Sequence, residues 1–422
     1  MKTKVVVLIL SLALLISFSV STGLAQEKQT ISVLIQPTLY EATGGDGGLI
    51  QRFQEETGIE VTMVSAPTQD LRDKALMEFI SQSGRFDVVF LLSGWLNEDM
   101  FQYLEPLDEY LAQTDEAYEK DDIIESLMVQ SCNQAGEQMA IPMRVGTAML
   151  YYNKDILDEA GLSVPENWDE VLEICKKLSN EELKGLAQTF YPENKDFIRL
   201  LYSMGGTVLN EDMTQATVNT PEMIQMITFV KTILDEGYIS RESLAWDRDP
   251  QITALQQGRA VMGVYYSPYW GRIVDPTGIA EGYTPDSFGW ALVPTNEGVP
   301  AGRSMNDGWS LGIDKNSQNK DAAWQFIQWL TNKENQLEMA ISYANGPVRA
   351  SSYQSEEYLT MFPLAEAWLE ATAASIFVPP HPDWEQIQDA FNQQVFAAIA
   401  GEITPEEAAE NAQEEIQRIL DR

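Results

Sequence analysis

Between residues 30 and 92 the hydrophobic period of the sequence switches repeatedly, and that alternation limits the folds open to the chain. "TISVLIQ" (30–36), "IEVTMVS" (59–65) and "FDVVFLL" (86–92) are short apolar runs rich in β-branched and aromatic residues, and they read as strands. Between them "GGLIQRFQEETG" (47–58), closed by Gly58, and "QDLRDKALMEFISQSG" (69–84) read as helices. A βαβαβ order predicts a parallel sheet with helices on its faces, connected by right-handed crossovers. Ligands of such sheets sit beyond the carboxyl ends of the strands. The loops there are "PTLYEATGGDG" (37–47) and "SGWLNED" (93–99), each with an aromatic residue, Tyr40 and Trp95.

The chain has 422 residues, more than the roughly 250 to 300 at which a single core stops growing, so two lobes are expected. A mostly helical middle region supplies the second. Asn153 is placed to cap a short helix ended by Gly161, and Asn167 with Glu170 has capping-box spacing at the start of "WDEVLEICKKL". In "NTPEMIQMITFVKTILDEGY" Thr220 caps, Pro221 takes the first helical position and Gly237 stops the helix. "RAVMGVYY" (259–266) and "SFGWALVPT" (287–295) read as short strands, and helices fill the chain from 320 onward.

The N-terminus, "MKTKVVVLILSLALLISFSVSTGLAQ", has Lys2 and Lys4, an apolar run from Val5 to Ile16, and small residues before Gln26. It reads as a secretory signal peptide of residues 1–25 rather than a membrane anchor, and without a cysteine near the cleavage point it does not read as a lipoprotein. Its removal takes two lysines and no acids, moving the formal charge from −37 to −39. Such a surface repels nucleic acid and anionic lipid. Cys132 and Cys175 are open to two readings in an exported chain, a disulfide or, for Cys175 on an apolar helical face, a buried thiol.

Catalytic signals are sparse. The single histidine, His381, stands between prolines, and there is no phosphate loop, no GxSxG elbow and no CxxC pair. No metal or cofactor is expected, and a carboxylate pair among the 64 acids is unsupported by spacing. The excess lies in aromatic residues set among Gly, Ser, Pro and Asn: "SGW" (93–95), "TFYPEN" (189–194), "YYSPYWG" (265–271) and "NDGWS" (306–310). Rings in turns, flanked by hydrogen-bonding groups, suit stacking on a neutral carbohydrate. The tryptophans of "GWSLGIDKNSQNKDAAWQFIQWLTN" (308–332) divide accordingly. On a helical wheel Ala323, Phe326, Ile327 and Leu330 share an arc flanked by Trp324 and Trp329, which read as packing residues. Trp309 lies before that helix, in a turn leading into a short strand, where its ring can face a cleft.

"NDGWSLGIDKNSQNKDAAWQFIQWLTN" resembles the C-terminal signature of the extracellular solute-binding proteins of sugar ABC transporters. "IPMRVGTAMLYYNKDILDEAGLSVPENWDEV" is similar to that family's first lobe-crossing segment, "LQQGRAVMGVYYSPYWG" to a second-lobe element, and "YANGPVRAS" to the last crossing. The resemblance runs from about residue 30 to the end. It implies an α/β, two-lobed periplasmic binding protein fold of type II. Lobe 1 would comprise 27–143 plus 289–345 and lobe 2 would comprise 144–288 plus 346–422, joined by a hinge of crossing segments. It implies a monomeric periplasmic receptor, not an enzyme, that delivers a sugar to a membrane permease. The binding positions it implies are Tyr40, Glu41, Trp95, Arg144, Tyr191, Tyr269, Trp270, Asp307, Trp309 and Arg349, with Trp309 and Tyr269 or Trp270 as stacking platforms and Asp307 and Arg144 on hydroxyls. Some relatives hold a carboxylate in the first crossing strand where this chain reads "RVGT". The competing readings are a receptor for a polyol, a glycosidic osmolyte, an amine or an anion, a secreted carbohydrate-active enzyme, and a receptor presented to a sensor.

Overall fold

The three N-terminal strands form as β1 (Thr30–Ile35), β2 (Glu60–Ser65) and β3 (Val88–Leu92), with β1 between the other two and parallel to both. The computed structural model describes residues 28–422 except 135, 191–194, 247 and 344, so the export segment expected at 1–25 lies outside the described residues. Val88, Val89, Phe90 and Leu91 are fully buried, as a strand covered on both faces requires. The intervening helices, Leu49–Thr57 and Thr68–Ser81, end at left-handed residues, Gly58 (φ 74°) and Gln82 (φ 54°). Buried Asp87 ties the layers together. It accepts from the Ser32 amide at 2.7 Å, the Ser317 hydroxyl at 2.6 Å and the Asn319 amide at 3.2 Å, linking β1 to the loop before helix Lys320–Leu330.

The strands of the two main sheets continue as β4 (Ile141–Gly146), β5 (Ala148–Asn153), β6 (Lys184–Leu186), β7 (Ala260–Tyr266), β8 (Phe288–Leu292), β9 (Met305–Ile313) and β10 (Ile376–Phe377). The larger sheet has the order β10-β9-β3-β1-β2, with β4 also paired to β9. Strand β9 runs antiparallel to β3 and β4, so the sheet is mixed rather than wholly parallel. The smaller sheet has the order β8-β5-β7-β6, antiparallel except for β6 on β7. Helices Trp168–Leu178, Pro221–Asp235, Trp384–Ala400 and Pro405–Leu420 contribute to the core built around this second sheet.

The chain passes from one sheet to the other at a single residue, Thr147, between β4 and β5. Its buried hydroxyl meets that of Thr372 at 2.7 Å. The expected lobe edges therefore shift. Strand β4 stays in the larger sheet through Gly146 rather than leaving after 143, and β8 belongs wholly to the smaller sheet although 289–292 were expected in the first lobe. Strand β10, expected in the second lobe, pairs with Met305 and Asn306 at the edge of the larger sheet. These pairings link residues far apart in sequence, which local periodicity does not report.

The caps form at Asn153, Asn167 and Thr220. Only half of the box at Asn167 closes, because the Glu170 carboxylate turns to the Glu166 amide. Trp324 is buried against Tyr110, and Trp329 packs edge-on to Phe53 while its indole N–H donates to Glu56 at 2.8 Å. Both flank the buried arc of their helix, as their spacing predicts.

Arg349, expected to touch ligand, is instead fully buried in the returning segment. It donates to the carbonyls of Thr331 at 2.7 Å and Glu119 at 2.9 Å, pairs with Asp122 at 3.4 Å, and lies 4.7 Å from the centroid of the Tyr118 ring. Nearby, Gly346 brings its carbonyl to the Val145 amide at 3.1 Å. A Cβ on Gly346 would stand 1.7 Å from the Val145 carbonyl, so only glycine fits there.

Replacing Arg349 by Met leaves the carbonyl of buried Thr331 without this donor and removes the contacts to the Glu119 carbonyl and to Asp122, which keeps the Ser351 amide and hydroxyl. We expect a loss of about 3 kcal/mol in chemical denaturation, whereas an unchanged midpoint would show that this segment is held by other contacts. Cys132 and Cys175 are thiols, both buried, Cys132 within the core of the larger sheet and Cys175 within that of the smaller. Burial pushes the Cys175 thiol up to about 12. The native protein is therefore expected to leave Cys175 unmodified by a maleimide at pH 7 and to expose it only on unfolding, read by mass spectrometry.

Candidate functional site

A cleft of about 650 Å³ opens between the two sheets. Thr38, Glu41, Leu92, Arg144, Gly146, Asp307, Gly308 and Trp309 line it from the larger-sheet side, and Tyr266, Tyr269 and Arg272 from the smaller. Glu41, Arg144, Tyr269, Asp307 and Trp309 were expected in the site, and the fold brings these five together.

Trp309 is carried by β9 itself rather than by a turn before it, opposite Arg144 of β4 and Leu92 of β3. The β4 register shifts between Trp309 and Ser310, a local irregularity of the kind that re-aims a side chain. Its neighbour Gly308 is forced by close packing, since a Cβ there would lie 2.8 Å from the Arg144 carbonyl. Trp95 is almost wholly buried, edge-on to Trp309 at 5.5 Å between centroids, so it supports the cleft tryptophan instead of facing the cleft. Tyr40 packs on the core and donates its hydroxyl to Asp46 at 2.6 Å, leaving the adjacent exposed Glu41 to reach the cleft.

In "SPYW" the two rings separate. Both pack against the same core cluster, but Tyr269 lines the cleft with the Arg272 guanidinium 5.6 Å from its ring centroid, whereas Trp270 stacks on Tyr151 at 5.8 Å and 16°. Tyr191 lies outside the described residues. Residue-level reading missed Thr38, Tyr266, Arg272 and Tyr343. Tyr266 was legible in principle: along β7 its partner Tyr265 is buried while Tyr266 takes the opposite, half-buried face.

The electrostatics of the cleft are uneven. The Arg144 side chain makes no hydrogen bond or ion pair among the described residues, and burial lowers its pKa from the ordinary guanidinium value. The Asp307 carboxylate is well supplied. One oxygen accepts from the Ser93 hydroxyl at 3.1 Å and the Gly308 amide at 3.0 Å, and the other from Lys195 at 3.2 Å. Burial alone would raise its pKa, but Lys195 and Arg199 outweigh that and hold it below the ordinary carboxylate range. Behind Tyr266 lies a second charged layer. Buried Asp196 pairs with Arg199 at 2.7 Å and Arg248 at 3.3 Å, and the Arg199 guanidinium sits 4.3 Å from the centroid of the Tyr266 ring.

A cleft walled by two α/β bodies defines a class, the two-lobed binding proteins. The model for bacterial extracellular solute-binding proteins matches residues 41–337, and the chain belongs to that family. A probable amino-acid ABC transporter periplasmic-binding protein of Sinorhizobium fredii is 24% identical over 391 residues, covering 88% of this chain and 85% of that protein. Among solved structures, maltose-bound MalE3 of T. maritima superposes with a TM-score of 0.78 at 23% identity, covering 92% of this chain and 99% of that one. An ABC transporter solute-binding protein of Agrobacterium radiobacter K84 in complex with ribitol gives 0.77 at 24% identity, covering 93% and 98%. The fold is thus the two-lobed one expected from sequence.

For Asp196 burial again opposes ionisation, but Arg248, Arg199 and the Thr189 hydroxyl together hold its pKa below the ordinary value. A depressed carboxyl contributes stability that is present above its unfolded pKa of about 3.9 and lost as pH falls through the folded value. Asp196→Asn is expected to cost about 3 kcal/mol at pH 7, because two arginines lose a buried counter-charge. The gap to wild type should narrow only below about pH 4. Parallel thermal melts from pH 7 to 3 test this; a gap that closes near pH 6 would contradict it.

Proposed function

We propose that the chain is the receptor component of an ABC importer, capturing a neutral carbohydrate between its lobes and presenting the loaded form to a membrane permease. The observation that carries this reading is the convergence of Trp309, Arg144 and Asp307 with Tyr266 and Tyr269 in one cleft. A half-buried indole offers an apolar face, and the guanidinium and carboxylate beside it can donate to and accept from sugar hydroxyls. Maltose and ribitol in the two related structures support a sugar or a sugar alcohol as ligand. The polyol is the second reading, and a cleft of about 650 Å³ has room for either.

In this reading the chain performs no reaction and works as a monomer. Its two lobes are the bodies built on the two sheets, with the edges at Thr147 and between β8 and β9. Ligand acts by binding the closed arrangement better than the open one. The signal-peptide character of residues 1–25 supports a periplasmic location without a lipid anchor, and the net charge of −37 argues against a nucleic-acid partner. Arg144, Asp307, Trp309, Tyr269 and Glu41 are the proposed ligand contacts, with Trp95 behind Trp309.

The test is a thermal-shift panel of mono-, di- and trisaccharides, polyols and amino acids. At a ligand concentration of 100 times Kd, stabilisation should be about 2.7 kcal/mol, confined to sugars or polyols and absent in Trp309→Ala. Because Trp309 also braces Trp95, Arg144→Gln serves as a second variant, with the response reduced and the fold intact. A response to amino acids alone would overturn the sugar reading.

A further inference from the structure

Among the described residues, Asp307 is the one lining carboxylate held from both bodies at once. Ser93 and the Gly308 amide, on the larger sheet, occupy one of its oxygens. Lys195, which stands just before helix Asp196–Ser203 of the smaller body, takes the other at 3.2 Å. Both partners are mostly shielded, with side-chain exposures of 16% for Lys195 and 23% for Asp307. Screening by water and salt is therefore weaker than for another pair that joins the bodies, Arg72 with Glu385, whose side chain is 72% exposed.

An ammonium has three donors, and Lys195 uses one of them on Asp307. Lys195 and Asp307 thus form a donor–acceptor couple, one member from each body, with Asp307 lining the cleft. We propose that Lys195 is a ligand-reading residue of the second lobe that rests on Asp307 and releases it to a ligand hydroxyl when the lobes enclose a sugar. The pair then does two things. It holds the bodies together in the ligand-free chain, and it makes any ligand compete with an internal cation for the acceptor it needs. A solute that offers a hydroxyl to Asp307 and an acceptor oxygen to Lys195 replaces both halves of the bond. A solute with only one of these leaves a shielded charge unpaired, so the couple selects for vicinal hydroxyls.

The second role rests on the cleft being a sugar site; the first does not, and the experiment separates them. Small-angle X-ray scattering of the ligand-free full chain is recorded at about 0.1 M and 1 M NaCl, where the screening length falls from roughly 10 to 3 Å. Wild type should expand at high salt. Lys195→Met should already have the larger radius of gyration at low salt, and Lys195→Arg should follow wild type. Identical low-salt radii for wild type and Lys195→Met would overturn the bridging role. Tryptophan-fluorescence titration with maltose and ribitol follows. For whichever probe binds wild type, Lys195→Met should weaken binding by about tenfold, the loss of one hydrogen bond to a charged group. Unchanged affinity would overturn the ligand-reading role. Failure of both probes and of every other sugar to bind wild type would instead overturn the proposed function, with the scattering result still deciding the bridge.

Discussion

Strand β9 is the constraint on which the rest of the structure depends. Its residues hydrogen-bond to β3 on one side and to β4 on the other, so it joins the N-terminal parallel strands to the segment that crosses between the sheets. That double engagement fixes Asp307, Gly308 and Trp309 at the crossing point itself. Gly308 is there because the Arg144 carbonyl leaves no room for a side chain. The half-buried Trp309 ring follows from the same geometry: it packs against the core, nearly perpendicular to Trp95, and also lines the cleft. The strand therefore serves the packing of one lobe and the chemistry of the site with the same few residues.

The parts of this arrangement governed by local periodicity were legible in the sequence. The βαβαβ opening, the caps at Asn153, Asn167 and Thr220, and the packing roles of Trp324 and Trp329 all rest on spacings of a few residues, and the structure has them. What spacing does not carry is which sheet a strand joins. The edge position of β10 and the attachment of β8 to β5 depend on pairings across long stretches of chain, and the lobe edges were misplaced for that reason. The site divides in the same way. Aromatics in Gly- and Pro-rich stretches did mark the cleft, but not which ring of an adjacent pair faces it. Trp270 stacks on Tyr151 while Tyr269 lines the cleft, and of the neighbours Tyr40 and Glu41 it is Glu41 that lines it. Arg349 shows the limit of carrying positions over by resemblance: its guanidinium is fully buried and bonds to the carbonyls of Thr331 and Glu119.

Charge is distributed against the grain of the chain. The protein is strongly acidic, with a formal charge of −37, yet Arg144 and Arg272 line the cleft with Asp307, Lys195 pairs with Asp307, and Arg199 and Arg248 stand behind Tyr266 against Asp196. Lys195 and Arg199 hold the Asp307 carboxyl, and Arg248 and Arg199 the Asp196 carboxyl, below the ordinary carboxylate range despite burial. The consequence is a wall of fixed donors and acceptors in a shielded setting, where hydrogen bonds to hydroxyls are stronger than in water. The Arg144 side chain, with no hydrogen bond or ion pair among the described residues, is the donor proposed to meet a ligand.

The account stands on ligand-driven closure of this cleft. Double electron–electron resonance between spin labels on Asp46→Cys, beyond the lining Glu41, and Thr277→Cys, beyond the lining Arg272, measures it directly. The two native cysteines are buried, which favours selective labelling of the introduced ones. A saturating sugar or polyol should shorten the distance between the labels and narrow its distribution. A ligand that binds tightly and leaves the distance distribution unchanged would contradict the claim that the solute is held between the lobes.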